Sequence, residues 1–383
     1  MKTDILIGRG KRLIYGSFLL LVFFYLFTIP TQSASEEKPI RIGTTWVLSG
    51  KWAVYGLDNK KGMEIALAEI NEKGVLGRKL EIIWEDSAGE KTLGVALLRK
   101  FAADPEIPLV LQQSTGDLAA QAPVAKELKI PLISAGSVAT GLPLNEWTFR
   151  VNLPVTAGVP IVIKGVKEKK GVRKIAVIYD MAYEFPTSEA KLVQNLIKED
   201  KDLELVAFET FKTGDRDFAA QLAKIRKIPH DAFWISGTVD EVALILKQAR
   251  EMGIKSLFIG GTSFVDPSIF KISGGAMAGA ILSLQFSPSD PRPIVQRFVK
   301  KFEGIHKTSP PLYAALGYDT MLITADAIKR AGKLERKAIR DALDSTKGLE
   351  GLCGQYTYGG SPDNRTPGFK LYTVTEKNEY RPF

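Results

Sequence analysis

One cysteine and two histidines in 383 residues leave little for covalent or metal chemistry. Cys353 has no partner for an intrachain disulfide, so packed cores have to supply the stability. His230, beside Pro229, and His306, before Lys307, read as loop or surface residues and leave little for metal ligation or Ser/His chemistry. Gly43 and Gly50-Lys51 imitate a phosphate-binding loop only superficially. Thr45 stands at the required glycine and Trp52 follows the lysine, so spacing and magnesium-ligating hydroxyl both fail. No Gly-x-Gly-x-x-Gly follows the first strand, and no Gly-x-Ser-x-Gly elbow occurs. These absences argue against an enzyme and leave no expected metal or cofactor.

Also absent is a cysteine after the N-terminal apolar run, which argues against a lipid anchor. What is there is Lys2, Arg9, Lys11 and Arg12, an apolar stretch from Leu13 to Ile29, Pro30, and then Thr31-Gln32-Ser33-Ala34-Ser35. Basic, apolar and small residues in that order form a secretory signal, expected over 1–34 with cleavage near its end. The alternative is a retained membrane anchor, since a spanning helix needs roughly 20 apolar residues. A free exported protein needs an enclosing compartment, which points to a periplasm.

The net charge of +9 falls to +6 without residues 1–34, which hold four bases and one acid. Clusters such as Lys167, Lys169 and Lys170 sit beside apolar helical positions and read as solvated faces, so no nucleic-acid partner is expected.

From Pro39 onward, short β-rich runs alternate with amphipathic helical runs, the pattern of parallel sheets covered by helices on both faces. Ile40-Arg41-Ile42-Gly43 opens the first strand. Met63, Ala66, Leu67 and Ile70 then put one apolar stripe on a helix over 57–73 that Gly74 stops. Further strands are expected at 80–85, 108–112, 131–134, 174–180, 203–211, 232–236 and 256–260, with helices at 217–226 and 239–252 among those between. Near Thr148–Pro154 the alternation pauses, marking a first crossing between lobes. The Pro-rich stretch Ser287–Pro293 marks a second, before two helices that return to the first lobe. The expected division is 39–157 plus 286–355 for the N-terminal lobe and 158–285 plus 356–383 for the C-terminal lobe.

Several segments then fall in a familiar order. Leu48-Ser49-Gly50 leads to Tyr55-Gly56, and Ile70-Asn71-Glu72-Lys73-Gly74-Val75-Leu76-Gly77-Arg78-Lys79-Leu80-Glu81 is followed by Glu85-Asp86-Ser87-Ala88-Gly89. Lys247-Gln248-Ala249-Arg250-Glu251-Met252-Gly253 comes later, as does Leu316-Gly317-Tyr318-Asp319 with Ala325-Asp326-Ala327-Ile328. With these, residues 39–383 resemble the leucine/isoleucine/valine-binding protein family. The resemblance implies an α/β fold of two doubly wound lobes with parallel sheets, the type I periplasmic-binding-protein fold, joined by three crossovers. It also implies a small-molecule solute in the cleft between lobes and an inner-membrane ABC permease as partner. The chain is expected to act as a monomer.

Leu109-Val110-Leu111 runs into Gln112-Gln113-Ser114-Thr115-Gly116-Asp117 and then a helix, whose free N–H groups suit a carboxylate. The family's carboxylate-binding serine falls on Ser114 or Thr115; the alternative is that one of them only caps the helix. By the same resemblance Gly136 holds the backbone carbonyl position, and Val138 stands where the family has a threonine. Ser137 or Thr140 substitutes if that turn shifts by a residue or two. Trp52 and Tyr55 lie in the loop where a family aromatic closes over the ligand. Tyr183 or Glu184 after the strand ending at Asp180, Thr238 after Trp234-Ile235-Ser236-Gly237, and Tyr313 before the last long helix complete the expected walls. Each is otherwise an ordinary loop or capping residue.

Thr262, after Phe258-Ile259-Gly260-Gly261, occupies the position of an acidic residue that pairs with the ligand ammonium in the family's amino-acid binders. Without that acid a buried ammonium would be unpaired, costing about 3–5 kcal/mol. Either Glu184 or Asp240 replaces it, or the ligand lacks an α-ammonium; a non-amino organic acid or an amide is slightly favoured. The expected function is solute capture for import by hinge closure, the alternative a membrane-tethered sensory ectodomain.

Overall fold

The run Ile40–Trp46 (β1) is buried along nearly its whole length, as a parallel strand covered on both faces must be. The computed structural model describes residues 37–365 and 368–383; the expected signal over 1–34 lies outside the described residues. After β1 come α1 (Ala53–Lys73), β2 (Leu80–Asp86), α2 (Lys91–Ala103), β3 (Val110–Gln112), α3 (Thr115–Glu127), β4 (Leu132–Ser134) and β5 (Thr148–Arg150). The five strands form one parallel sheet in the order β2-β1-β3-β4-β5.

The chain then builds a second lobe from α4 (Val155–Lys170), β6 (Lys174–Asp180), α5 (Glu184–Glu199), β7 (Glu204–Phe211), α6 (Ala219–Arg226), β8 (Ala232–Ser236), α7 (Val239–Glu251), β9 (Leu257–Gly260), a 3-10 turn at Thr262–Phe264, α8 (Ser268–Ile272) and β10 (Ile281–Leu284). Next are α9 (Pro293–His306), α10 (Leu312–Ala331), α11 (Arg336–Asp344), β11 (Leu349–Gly351), β12 (Gly354–Tyr356), β13 (Lys370–Val374) and β14 (Tyr380–Pro382). The second sheet runs β14-β13-β10-β9-β8-β6-β7, parallel except for β13 and β14 at one edge.

Within each lobe the first five strands therefore follow the same order, 2-1-3-4-5. This doubly wound arrangement leaves a crevice outside the strand carboxyl ends where the order reverses, between β1 and β3 and between β6 and β8. The type I periplasmic-binding-protein fold read from the sequence is the fold observed.

The helical return to the first lobe is anchored by a close crossing of α10 on α1. A Cβ on Gly62 would lie 1.8 Å from the Ala314 carbonyl oxygen, and one on Gly317 1.9 Å from that of Asn59. Only glycine allows the two backbones so near. Asn59 Nδ2 donates to the Tyr313 carbonyl at 2.5 Å across the same crossing, which fixes where Tyr55 and Tyr313 emerge. Asp319 on α10 accepts from the Leu352 and Cys353 amides at 2.7 and 2.9 Å and from Tyr356 Oη at 2.7 Å, binding the β11–β12 hairpin to the helix. Burial pushes its carboxyl up to about 6.

The last crossing comes later than the expected division at 355/356. Tyr358 Oη donates to the Arg150 carbonyl at 3.0 Å, the Arg150 amide donates to Pro362 O at 2.8 Å, and Asp363 bridges to Arg150. Residues 358–363 thus lie against β5, meeting it at an isolated bridge between Arg150 and Asp363, and the chain pairs with the second sheet at β13. At the first crossing Val155–Ala157 already belong to α4, which packs on the second sheet.

Candidate functional site

Ser114 follows β3 in an extended conformation and caps α3, its Oγ accepting from the Asp117 amide at 3.1 Å. The Thr115 and Gly116 N–H groups in the first turn have no intrahelical carbonyl to reach. Thr115 Oγ1 accepts from the Val138 amide at 3.4 Å, tying this corner to the turn after β4. Asp117 is fully buried behind the corner, holds Ser87 Oγ at 2.7 Å, and is pushed up to about 6 by burial. Gly136 packs so tightly on β3 that a Cβ there would meet Gln113 O at 2.4 Å. Its carbonyl accepts from Asn152 Nδ2 at 3.4 Å, and Asn152 Oδ1 in turn accepts from Gln285.

Aromatic rings from both lobes face this corner. Trp52, just before α1, stacks on Tyr183 of the second lobe with centroids 4.3 Å apart and planes at 19°. Tyr55 and Tyr313 lie 4.7 Å apart. Burial pushes the hydroxyls of Tyr55, Tyr183 and Tyr313 up, so they act as neutral hydrogen-bonding groups. Tyr55 Oη accepts from the Val239 amide of α7 at 3.3 Å, a bond between lobes. Two more inter-lobe links are the Lys91–Glu184 ion pair and Thr140, whose amide donates to Ser188 Oγ at 3.1 Å.

Eight of the twelve residues singled out in the sequence wall one cavity: Trp52, Tyr55, Ser114, Thr115, Gly136, Val138, Tyr183 and Tyr313. Gln113 and Phe185 complete it. Its volume of about 20 Å³ accommodates a water, and the stacked Trp52 and Tyr183 hold the two lobes together across it.

The other four lie outside the walls. Ser137 Oγ is buried with no partner among the described residues. Glu184 sits at the rim, held by Lys91. The Thr238 hydroxyl donates to Glu241, leaving α7 without a side-chain cap. Thr262 is buried, and its amide donates to Glu189 Oε1 at 3.0 Å.

Glu189 is the residue that sequence reasoning passed over. It projects from α5 beneath the β8 and β9 ends, with no exposure, and Oε2 accepts from Ser263 Oγ at 3.1 Å and from Ser236 Oγ. Among the described residues no cation pairs with it, and burial pushes its carboxyl up to about 7. Asp240, the other acid weighed as a replacement at position 262, is exposed on α7.

A family model described as periplasmic binding protein matches residues 39–378. A "Leu/Ile/Val-binding protein homolog 1" from Brucella suis biovar 1 is 28% identical over 351 residues, 88% of this chain and 91% of the relative. The Leu/Ile/Val-binding protein of Escherichia coli K12 is 26% identical over 72% of this chain and 73% of its own length. Among solved structures, the substrate binding protein of a branched-chain amino acid transporter from Streptococcus pneumoniae, in complex with isoleucine, has a TM-score of 0.81 at 27% identity, covering 90% of this chain and 100% of that one. A solute binding protein of an ABC transporter from Rhodopseudomonas palustris, in complex with benzoate, shares the fold with a TM-score of 0.81 at 17% identity, over 90% and 96%. Lobe order, cleft position and family match agree, and the chain belongs to the periplasmic binding protein family as a solute-binding protein of ABC transporter type.

Proposed function

We propose that this protein is an exported, monomeric receptor that captures a small organic acid without an α-ammonium and delivers it to an inner-membrane permease. The solute carboxylate docks on the start of α3 at Ser114 and Thr115, and the second lobe closes Tyr183 over it. The observation that carries this reading is the fate of the acids. Glu189, beneath Thr262, is fully buried and already accepts from Thr262, Ser263 and Ser236, while Glu184 is committed to Lys91. An α-ammonium placed at Thr262 would find Glu184 and Glu189 already engaged and, left unpaired, would cost about 3–5 kcal/mol, roughly a hundredfold or more in affinity.

The test is a thermal-shift screen of amino acids against their deaminated counterparts, aromatic acids and amides. Ligand at roughly 100 times its dissociation constant adds about 2.7 kcal/mol of stability. An organic acid is expected to give the largest shift, and leucine as the best ligand would overturn the solute class. A second reading, a membrane-tethered sensory ectodomain, is favoured by the apolar run Leu13–Ile29. Mass spectrometry of the protein from its native host separates the two, since an intact Met1 would defeat the soluble receptor.

A further inference from the structure

The cavity at the cleft is not the protein's roomiest. A cavity of about 660 Å³ opens where the crossovers meet, between the loop after β10, the segment leading into α10, and strand β14. That volume lies within the roughly 300–1,000 Å³ of small-molecule sites. We propose that it is a second binding site, for a neutral, largely apolar molecule carrying one hydrogen-bonding group.

The wall chemistry points to that class. Pro267, Pro288, Pro310, Pro311 and Pro382 converge on the cavity from four separate segments. Proline has no N–H and a fixed φ, so such a wall is rigid and exposes no unmet backbone donor. Leu284 and Phe286 add apolar surface. The charges present cancel, since Arg381 and Glu379 pair at 3.0 Å, and Ser287 and Ser289 are bonded to each other at 2.8 Å. Nothing in the wall asks for an ionic ligand.

Two wall residues do carry unmet hydrogen-bonding capacity. Tyr380 Oη and Asn378 Oδ1 are buried with no partner among the described residues, while Asn378 Nδ2 is held by the Pro267 carbonyl at 3.0 Å. Buried polar atoms are rarely left unpaired, and one group on a ligand would meet a donor or an acceptor here.

The probe is N-phenyl-1-naphthylamine, a neutral apolar fluorophore, titrated into the full chain. Saturable enhancement with one site per chain is expected, unchanged in Tyr183→Ala, which removes the cleft stack. Ser289 and Ser309 are exposed at the cavity rim, so Ser289→Trp and Ser309→Trp fill the mouth without touching the core. Each is expected to weaken the probe at least tenfold while the melting curve stays as in the parent protein. No saturable signal, loss of signal in Tyr183→Ala, or full binding in both tryptophan variants would each overturn the proposal. The thermal-shift outcome for organic acids has no bearing on it.

Discussion

Replacing Glu189 by glutamine removes a charge from a fully enclosed carboxyl beside the cleft and keeps its shape. Burial raises the carboxyl from the ordinary 4.5 to about 7, so the native protein holds this proton more tightly than the unfolded chain. Below about pH 4.5 the residue costs nothing. As pH rises toward 7 the unfolded chain releases the proton first, stability falls, and the loss is complete once the folded group has ionised. At 1.36 kcal/mol per unit the full loss is about 3 kcal/mol. A protein of this length unfolds with an entropy of roughly 0.7 kcal/mol per kelvin, so the shift in Tm is about 4 °C. Glutamine keeps an oxygen for the Thr262 amide and offers its NH₂ to the Ser236 and Ser263 oxygens, which have spare lone pairs. Calorimetric melting of both proteins from pH 4 to 8 is the assay. The variant is expected to gain about 4 °C on the parent across that range, with most of the change between pH 4.5 and 7. Subtraction cancels the contributions of Asp117 and Asp319, which titrate in the same direction. Parallel curves would refute the reasoning, because they would mean that Glu189 has the same charge in the folded and unfolded chains throughout.

Ser114→Ala removes the cap of α3 and should cost about 1 kcal/mol in denaturant unfolding. It should also weaken the best organic acid in a calorimetric titration. Gly62→Ala forces a Cβ to within 1.8 Å of the Ala314 carbonyl oxygen, and neither helix backbone can give way cheaply. A loss of at least about 3 kcal/mol is expected, read as a drop in denaturation midpoint, and a midpoint within error of the parent would show that the crossing is looser than described. Lys91→Met breaks the half-exposed ion pair to Glu184 that links the lobes, so solute affinity should fall no more than about fivefold. That difference should vanish at 1 M salt; a salt-independent difference would place Lys91 in the binding chemistry itself.

The parallel strands were legible because each is a short apolar run bounded by turn residues. Lys174–Asp180 and Ala232–Ser236 coincide with the expected spans, and Leu257–Gly260 differs by a residue. At Thr148–Arg150 the pattern pauses because the stretch before it holds no helix, so the alternation that marks a strand is missing. The late third crossing escaped for a related reason: residues 358–363 lie against β5 through Tyr358, Pro362 and Asp363, contacts that no local pattern announces. At the cleft, the walls sit at carboxyl ends of parallel strands, which is where small polar residues follow apolar runs. Gln113 and Phe185 stand beside residues that were singled out and carry no feature of their own to separate them. Glu189 was hidden more deeply. It lies in an amphipathic helix where glutamate ordinarily faces water, and its burial depends on Ser236 and Ser263, 47 and 74 residues further along.

The bond from Tyr55 to α7 gives one backbone proton an unusual occupation. Thr238 turns its hydroxyl to Glu241, so the Val239 amide at the head of α7 finds its acceptor on a tyrosine from the opposite lobe. Its shelter from water lasts only as long as the lobes stay together. In deuterated solvent that proton would therefore exchange at the pace of opening, while the amides deeper in α7 wait for the helix itself to unravel. A single position thus keeps time for the whole molecule: its exchange slows as solute fills the cleft and quickens as solute leaves, with no label attached to either.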